Sequence, residues 1–86
     1  MTGKSFIPAK ALKARHLRMA RAGLHFSIRE FADLCHVNKA TIVRLEAGHK
    51  VRDSTRAIVR QTLEDQGAEF WQCDGQGKIV VGINKP

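Results

Sequence analysis

Residues 27–48 read Ser27-Ile-Arg-Glu-Phe-Ala-Asp-Leu-Cys-His-Val-Asn-Lys-Ala-Thr-Ile-Val-Arg-Leu-Glu-Ala-Gly48, and this stretch predicts two short helices, each with its own cap. Ser27 stands three residues before Glu30, so its hydroxyl can accept a backbone N–H while the carboxylate reaches back to the N–H of Ser27. Phe31, Ala32 and Leu34 follow at helical spacing, and Cys35 and Val37 carry apolar character into a turn of three or four residues. Asn38 is a favoured N-cap and restarts the helix, Ile42 and Leu45 lie on one face of it, and Gly48 supplies a left-handed residue to end it. A helix of about nine residues is too short to persist on propensity, so packing must hold it.

Two such helices joined by a tight turn are the grammar of a helix-turn-helix DNA reader. With Ile42 and Leu45 assigned to the core, the outer face of the second helix carries Lys39, Ala40, Thr41, Val43 and Arg44. Lys39 sits at the positive end of the helix dipole, where an exposed cation is disfavoured by roughly 0.3–1 kcal/mol. A phosphate or a guanine edge at that place turns the penalty into an attraction.

Residues 12–66 resemble the Xre family of phage-repressor-type and Cro-type helix-turn-helix proteins. The matching letters are Phe26-Ser27, Glu30-Phe31-Ala32, Val37-Asn38, Ala40-Thr41-Ile42 and Arg44-Leu45-Glu46-Ala47-Gly48. The resemblance implies a mainly α fold, a four- to five-helix phage-repressor-like domain that binds operator DNA as a dimer with its third helix in the major groove. It places Lys39, Ala40, Thr41 and Arg44 at base-reading positions, with Thr41 alternatively on phosphate, and Arg21 and Glu46 on an ion pair bridging the first helix to the end of the third. Two letters differ from the family's usual ones. His36 stands where glycine is common in the turn, and Ile28 stands where a phosphate-contacting glutamine is common, so that contact is not carried over.

Charge supports a polyanion partner. The chain has 86 residues and a net charge of +7, and its distribution is uneven: residues 1–60 hold thirteen Lys/Arg against four Asp/Glu, while residues 61–86 hold two against four. A basic amino-terminal part followed by a mildly acidic tail fits a nucleic-acid binder with a separate interaction segment. Cys35 and Cys73 lack metal-ligand spacing and point to a reducing cytoplasm, with Cys35 read as a small buried hydrophobe. No apolar run approaches the ~20 residues that span a bilayer.

Outward from the central stretch, residues 1–8 read as an amino-terminal arm, with Lys4 reaching a groove as the alternative to a frayed terminus. A first helix is expected from about Ala9 to Ala22, with Leu17, Ala20 and Leu24 toward the core, Lys10, Lys13, Arg15 and Arg18 outward, and Gly23 ending it. After Gly48 the polar loop His49-Lys50-Val51-Arg52-Asp53 follows the reading helix directly. His49, Lys50 and Arg52, with Ser27 and Asn38, are the expected phosphate contacts. Asp53 or Ser54 caps a fourth helix through Gln66, striped by Ile58, Val59, Thr62 and Leu63 and closed by Gly67, with Arg56 and Arg60 read as solvated. The core domain thus spans residues 9–67, and residues 68–86 form a hairpin and tail around a Gly-rich turn. A lone hairpin is marginal in water. Phe70, Trp71, Ile79, Val81 and Ile83 are therefore expected in a dimer interface with the fourth helix, the alternative being a hairpin that completes the monomer's core.

The expected function is a sequence-specific transcriptional regulator, a repressor or autoregulator, whose homodimer reads an inverted repeat in double-stranded DNA. The alternative is the antitoxin of a toxin–antitoxin pair, whose carboxy-terminal segment binds a partner protein and orders on it. The four histidines, His16, His25, His36 and His49, have no paired carboxylate or second ligand, and no phosphate loop or nucleophile elbow appears, so no enzyme, metal or cofactor is expected. His16 and His49 are read as surface histidines. The expected compartment is the cytoplasm of a bacterium, in association with the nucleoid or with phage DNA.

Overall fold

A computed structural model describes residues 12–72 and 78–84. The elements run α1 (Ala14–Gly23), α2 (Ile28–Cys35), α3 (Lys39–Glu46), α4 (Asp53–Asp65), β1 (Ala68–Gln72) and β2 (Ile79–Ile83). The arm at residues 1–8, Lys10, Cys73 and the Gly-rich turn lie outside the described residues. The domain is mainly α with a carboxy-terminal two-stranded antiparallel hairpin, as expected.

Local chemistry starts and stops the central helices where the residues say it should. Ser27 Oγ accepts the Glu30 N–H at 3.0 Å while Glu30 Oε1 accepts the Ser27 N–H at 2.8 Å, closing the capping box. These bonds hold the exposed Glu30 carboxyl below its ordinary pKa, the Ser27 backbone N–H contributing most. Asn38 Oδ1 accepts the Ala40 N–H at 3.3 Å and starts α3. Gly48 takes φ 87°. The Gly48 N–H then donates to the Leu45 carbonyl and the His49 N–H to the Arg44 carbonyl, a Schellman ending.

The same ending closes α1 and α2, but with histidine in the left-handed place: His25 at φ 65° and His36 at φ 58°. For His36 this matches its expected turn position. For α1 it corrects the role given to Gly23, which is the last helical residue. An added Cβ on Gly23 would stand 2.9 Å from Ile83 Cγ1, so its service is the close approach of β2. A non-glycine residue in this conformation is strained by about 1–2 kcal/mol, partly offset by the entropy glycine loses. His25→Gly and His36→Gly are each expected to gain about 0.5–1 kcal/mol, read as a rise of several degrees in the thermal midpoint. A fall in the midpoint would show that the imidazoles hold these turns.

α1 begins at Ala14, later than the expected Ala9, because Leu12 and Lys13 are not helical. His16, expected at the surface, is nearly buried, and its Nδ1 accepts the Lys13 N–H at 2.9 Å. Burial, with the charges of Arg15 and Lys13, holds its pKa below the ordinary 6.5. The neutral ring is thus the native form, so its stabilising contribution is complete above pH 6.5 and is lost as pH falls below that value toward the lowered one. Glu30 acts lower still, its contribution being lost only as pH falls through a value under the ordinary 4.5. Denaturant melts at pH 7.5 and 5.5 should show the loss, and His16→Gln, which keeps an acceptor but does not titrate, should remove the dependence. Equal slopes for both proteins would sink this account.

The core is built from Phe31 of α2, Ile42 and Leu45 of α3, Val59 and Leu63 of α4 and Phe70 of β1, all essentially inaccessible. Cys35 is buried among them, and burial pushes its thiol up. Several expected positions differ. Leu34 and Ile58 are exposed, at 40% and 47%, because α2 and α4 turn their narrower stripes inward. Asp53 is the first residue of α4, not its cap, and the capping position falls on Arg52 without a side-chain bond. Arg56 and Arg60 are half-buried: Arg56 donates to the Leu12 carbonyl at 2.7 Å, while Arg60 pairs with Glu64 at 3.4 Å and lies over the Phe70 ring.

The hairpin pairs Ala68 with Ile83, Phe70 with Val81 and Gln72 with Ile79, and it docks on the domain's own helices. Phe70, expected in a dimer interface, is instead 1% exposed in the core. Full burial of such a ring contributes about 1.5–3 kcal/mol, and its side chain cannot also face a partner. Ile79 and Val81 pack against the same core, and Trp71 is half-buried with its indole N–H donating to Glu69.

Candidate nucleic-acid interface

The inward residues of α3, Ile42 and Leu45, are fully buried, and Glu46 is 7% exposed. Glu46 is held by Arg21 of α1, whose Nε and Nη2 donate to the two carboxylate oxygens at 2.6 and 2.9 Å. The third guanidinium nitrogen, Nη1, donates to the Phe26 carbonyl at 2.7 Å just before α2. Arg18, expected outward, also donates to the Glu46 backbone carbonyl. One guanidinium thus joins α1, the entry to α2 and the end of α3, a fork geometry that lysine could not reproduce.

This fastening sets the opposite side of α3 toward solvent. Lys39, Ala40, Val43 and Arg44 are exposed, and Thr41 is partly exposed. None of these side chains fills the core, and Val43 is 45% exposed although apolar. The loop after α3 folds back beside this face. Arg44 Nη2 lies 3.5 Å from the Lys50 carbonyl, and Thr41, Arg44, Lys50, Val51, Arg52 and Thr55 line one notch. Lys50 and Arg52 are exposed on it, as is His49 nearby.

Thr55, in the first turn of α4, is, with Val51, a member of this notch that sequence reasoning missed. Its place there follows from a fold-back of the loop, and the only available signal was its position three residues after Arg52. Ser27 and Asn38 are exposed at the starts of α2 and α3. Each oxygen accepts the cap bond, which leaves the Ser27 hydroxyl proton and the Asn38 amide N–H groups to donate to an anion.

Electrostatics reinforce the geometry. The single carboxylate of α3, Glu46, is neutralised by Arg21, and residues 47–52 contain no acid while contributing Lys50 and Arg52. The face is therefore cationic, with small and apolar groups between the charges. Such a surface can donate to phosphates at its rim and meet base edges at its centre. Among the described residues no cluster of three or more His, Cys, Asp or Glu could hold a metal ion, and no helix is long and apolar enough to cross a membrane. No protein-family model matches the chain, and no curated protein matches it.

Proposed function

We propose that the protein is a sequence-specific DNA-binding transcriptional regulator, a repressor or autoregulator that reads an inverted repeat as a homodimer. The observation that carries this reading is the division of labour in α3. One side is locked into the core by Ile42, Leu45 and the Arg21–Glu46 pair, while Lys39, Ala40, Thr41, Val43 and Arg44 share a cationic surface with Lys50 and Arg52 and have no packing task that explains them.

In this mechanism α3 enters the major groove. Arg44 donates to guanine O6 and N7, Lys39 to guanine or phosphate, and Ala40 or Val43 touches a thymine methyl. Ser27, Asn38, His49, Lys50 and Arg52 fix the register on the phosphates on either side. A nuclease footprint on the DNA upstream of the protein's own reading frame tests the reading. Protection of a palindrome with half-sites about 10 bp apart is expected. Salt-sensitive binding to arbitrary DNA, with no protected site there, would replace the regulator by a non-specific binder.

The phosphate contacts have a separate signature. Lys50→Ala and Arg52→Ala should weaken binding to all sequences alike, and each should lower the slope of log K against log salt by about one. An unchanged slope removes the substituted residue from the phosphate set.

A further inference from the structure

We propose that the outer edge of β2 pairs antiparallel with β2 of a second copy of this chain, about a two-fold axis through Val81. The inference deepens the inverted-repeat reading, from which the need for a second copy follows, but its geometry is independent of DNA.

Among the described residues the sheet has two strands, and β2 has its neighbour, β1, on one side alone. The Asn84 N–H donates to the Gly67 carbonyl at 2.7 Å. Alternation along an antiparallel ladder then makes Glu69/Gly82 and Trp71/Val80 the bonded pairs, and turns the N–H and C=O groups of Ile79, Val81 and Ile83 away from β1. Among the described residues no backbone bond from a helix or loop reaches these groups. Exposed edges are ordinarily blunted by charge, proline or a bulge. β2 is Ile-Val-Val-Gly-Ile and has none of these.

The strand is also self-complementary in one register. With Val81 on the axis, Ile79 faces Ile83 of the second copy, Val80 faces Gly82 and Lys78 faces Asn84. All five residues of β2 pair, and the outward groups of Val81 meet their own copies. A slip of one residue turns the bonding groups the wrong way, and a slip of two leaves only three pairs. Charges agree with this register. Asn84 Nδ2 donates to Glu69 Oε2 at 3.2 Å, so Lys78 of one copy arrives beside a carboxylate of the other, at both ends. Val80 and Ile83, now 43% and 39% exposed, lie along the seam. The result is a closed two-fold dimer, the commonest symmetry among soluble oligomers.

The test uses the full chain. Sedimentation should give twice the chain mass for the wild type, and Val81→Pro should weaken the dimer about tenfold or more, since it removes both central N–H donors. The hairpin should survive, because the Val81 N–H takes no part in the β1 ladder and proline is tolerated at such an edge. Hydrogen exchange of wild type supplies a readout that needs no variant: the Val81 amide should be protected at high concentration and exchange quickly on dilution. A wild-type monomer at all concentrations, or a Val81→Pro dimer of undiminished strength, overturns the proposal. Protection of Val81 independent of concentration also overturns it, since the edge is then covered within a single chain. Loss of operator binding with the dimer intact would instead count against the DNA reading alone.

Discussion

Arg21→Ala is expected to cost about 3–5 kcal/mol of folding stability, the range for removing one partner of a buried ion pair. The side chains of Arg21 and Glu46 are only 14% and 8% exposed, and the pair is bidentate. Alanine leaves the Glu46 carboxylate enclosed without its two donors and strips the Phe26 carbonyl of its guanidinium bond. An uncompensated buried charge is far worse than an exposed one, since water cannot replace the lost donors. In a domain of this size each kcal/mol moves the thermal midpoint by about 4–8 °C, so the midpoint should fall by well over 10 °C. Arg21→Met combined with Glu46→Leu should recover most of that loss, because the desolvated charge disappears along with its partner. A single-variant loss below about 1 kcal/mol would show the pair behaving as an ordinary surface bridge.

Arg44→Ala should leave the thermal midpoint nearly unchanged and weaken operator binding by about 1–3 kcal/mol, or 5- to 150-fold. Arg44 is exposed, and its side-chain hydrogen bond among the described residues is a long one, to the Lys50 carbonyl at 3.5 Å, so little folding energy depends on it. The loss should be concentrated on a single base pair. When that pair is changed in the operator, wild type should drop to the affinity of the variant, and the variant should lose little more. Equal weakening on operator and random DNA would make Arg44 a phosphate contact. The two substitutions separate structure from recognition: Arg21→Ala lowers stability first and affinity as a consequence, whereas Arg44→Ala alters affinity for one base pair.

Helix boundaries around the turn were legible because they depend on atoms a few residues apart. Ser27 with Glu30, Asn38 with Ala40 and Gly48 with its flanking carbonyls form bonds within one turn, whatever the rest of the domain does. The left-handed turn position of His36 was legible only through the resemblance, which puts it where glycine is common. His25 was overlooked because the nearby Gly23 offered the expected chemistry, yet that glycine answers to Ile83, sixty residues on. Leu34 and Ile58 met the apolar period and still face solvent, since periodicity names a stripe without naming its neighbours.

Sequence by itself determined the order of the helices, the caps of α2 and α3, the hairpin, and the gathering of cations around α3, all properties of near neighbours along the chain. Tertiary structure decided that Phe70 completes the core, that His16 is enclosed and serves as an acceptor, that the pair implied between Arg21 and Glu46 is made with two nitrogens, and that Thr55 joins Lys50 and Arg52 beside Arg44. These depend on contacts between residues far apart in the chain, whose geometry follows from how the helices pack and not from any local preference.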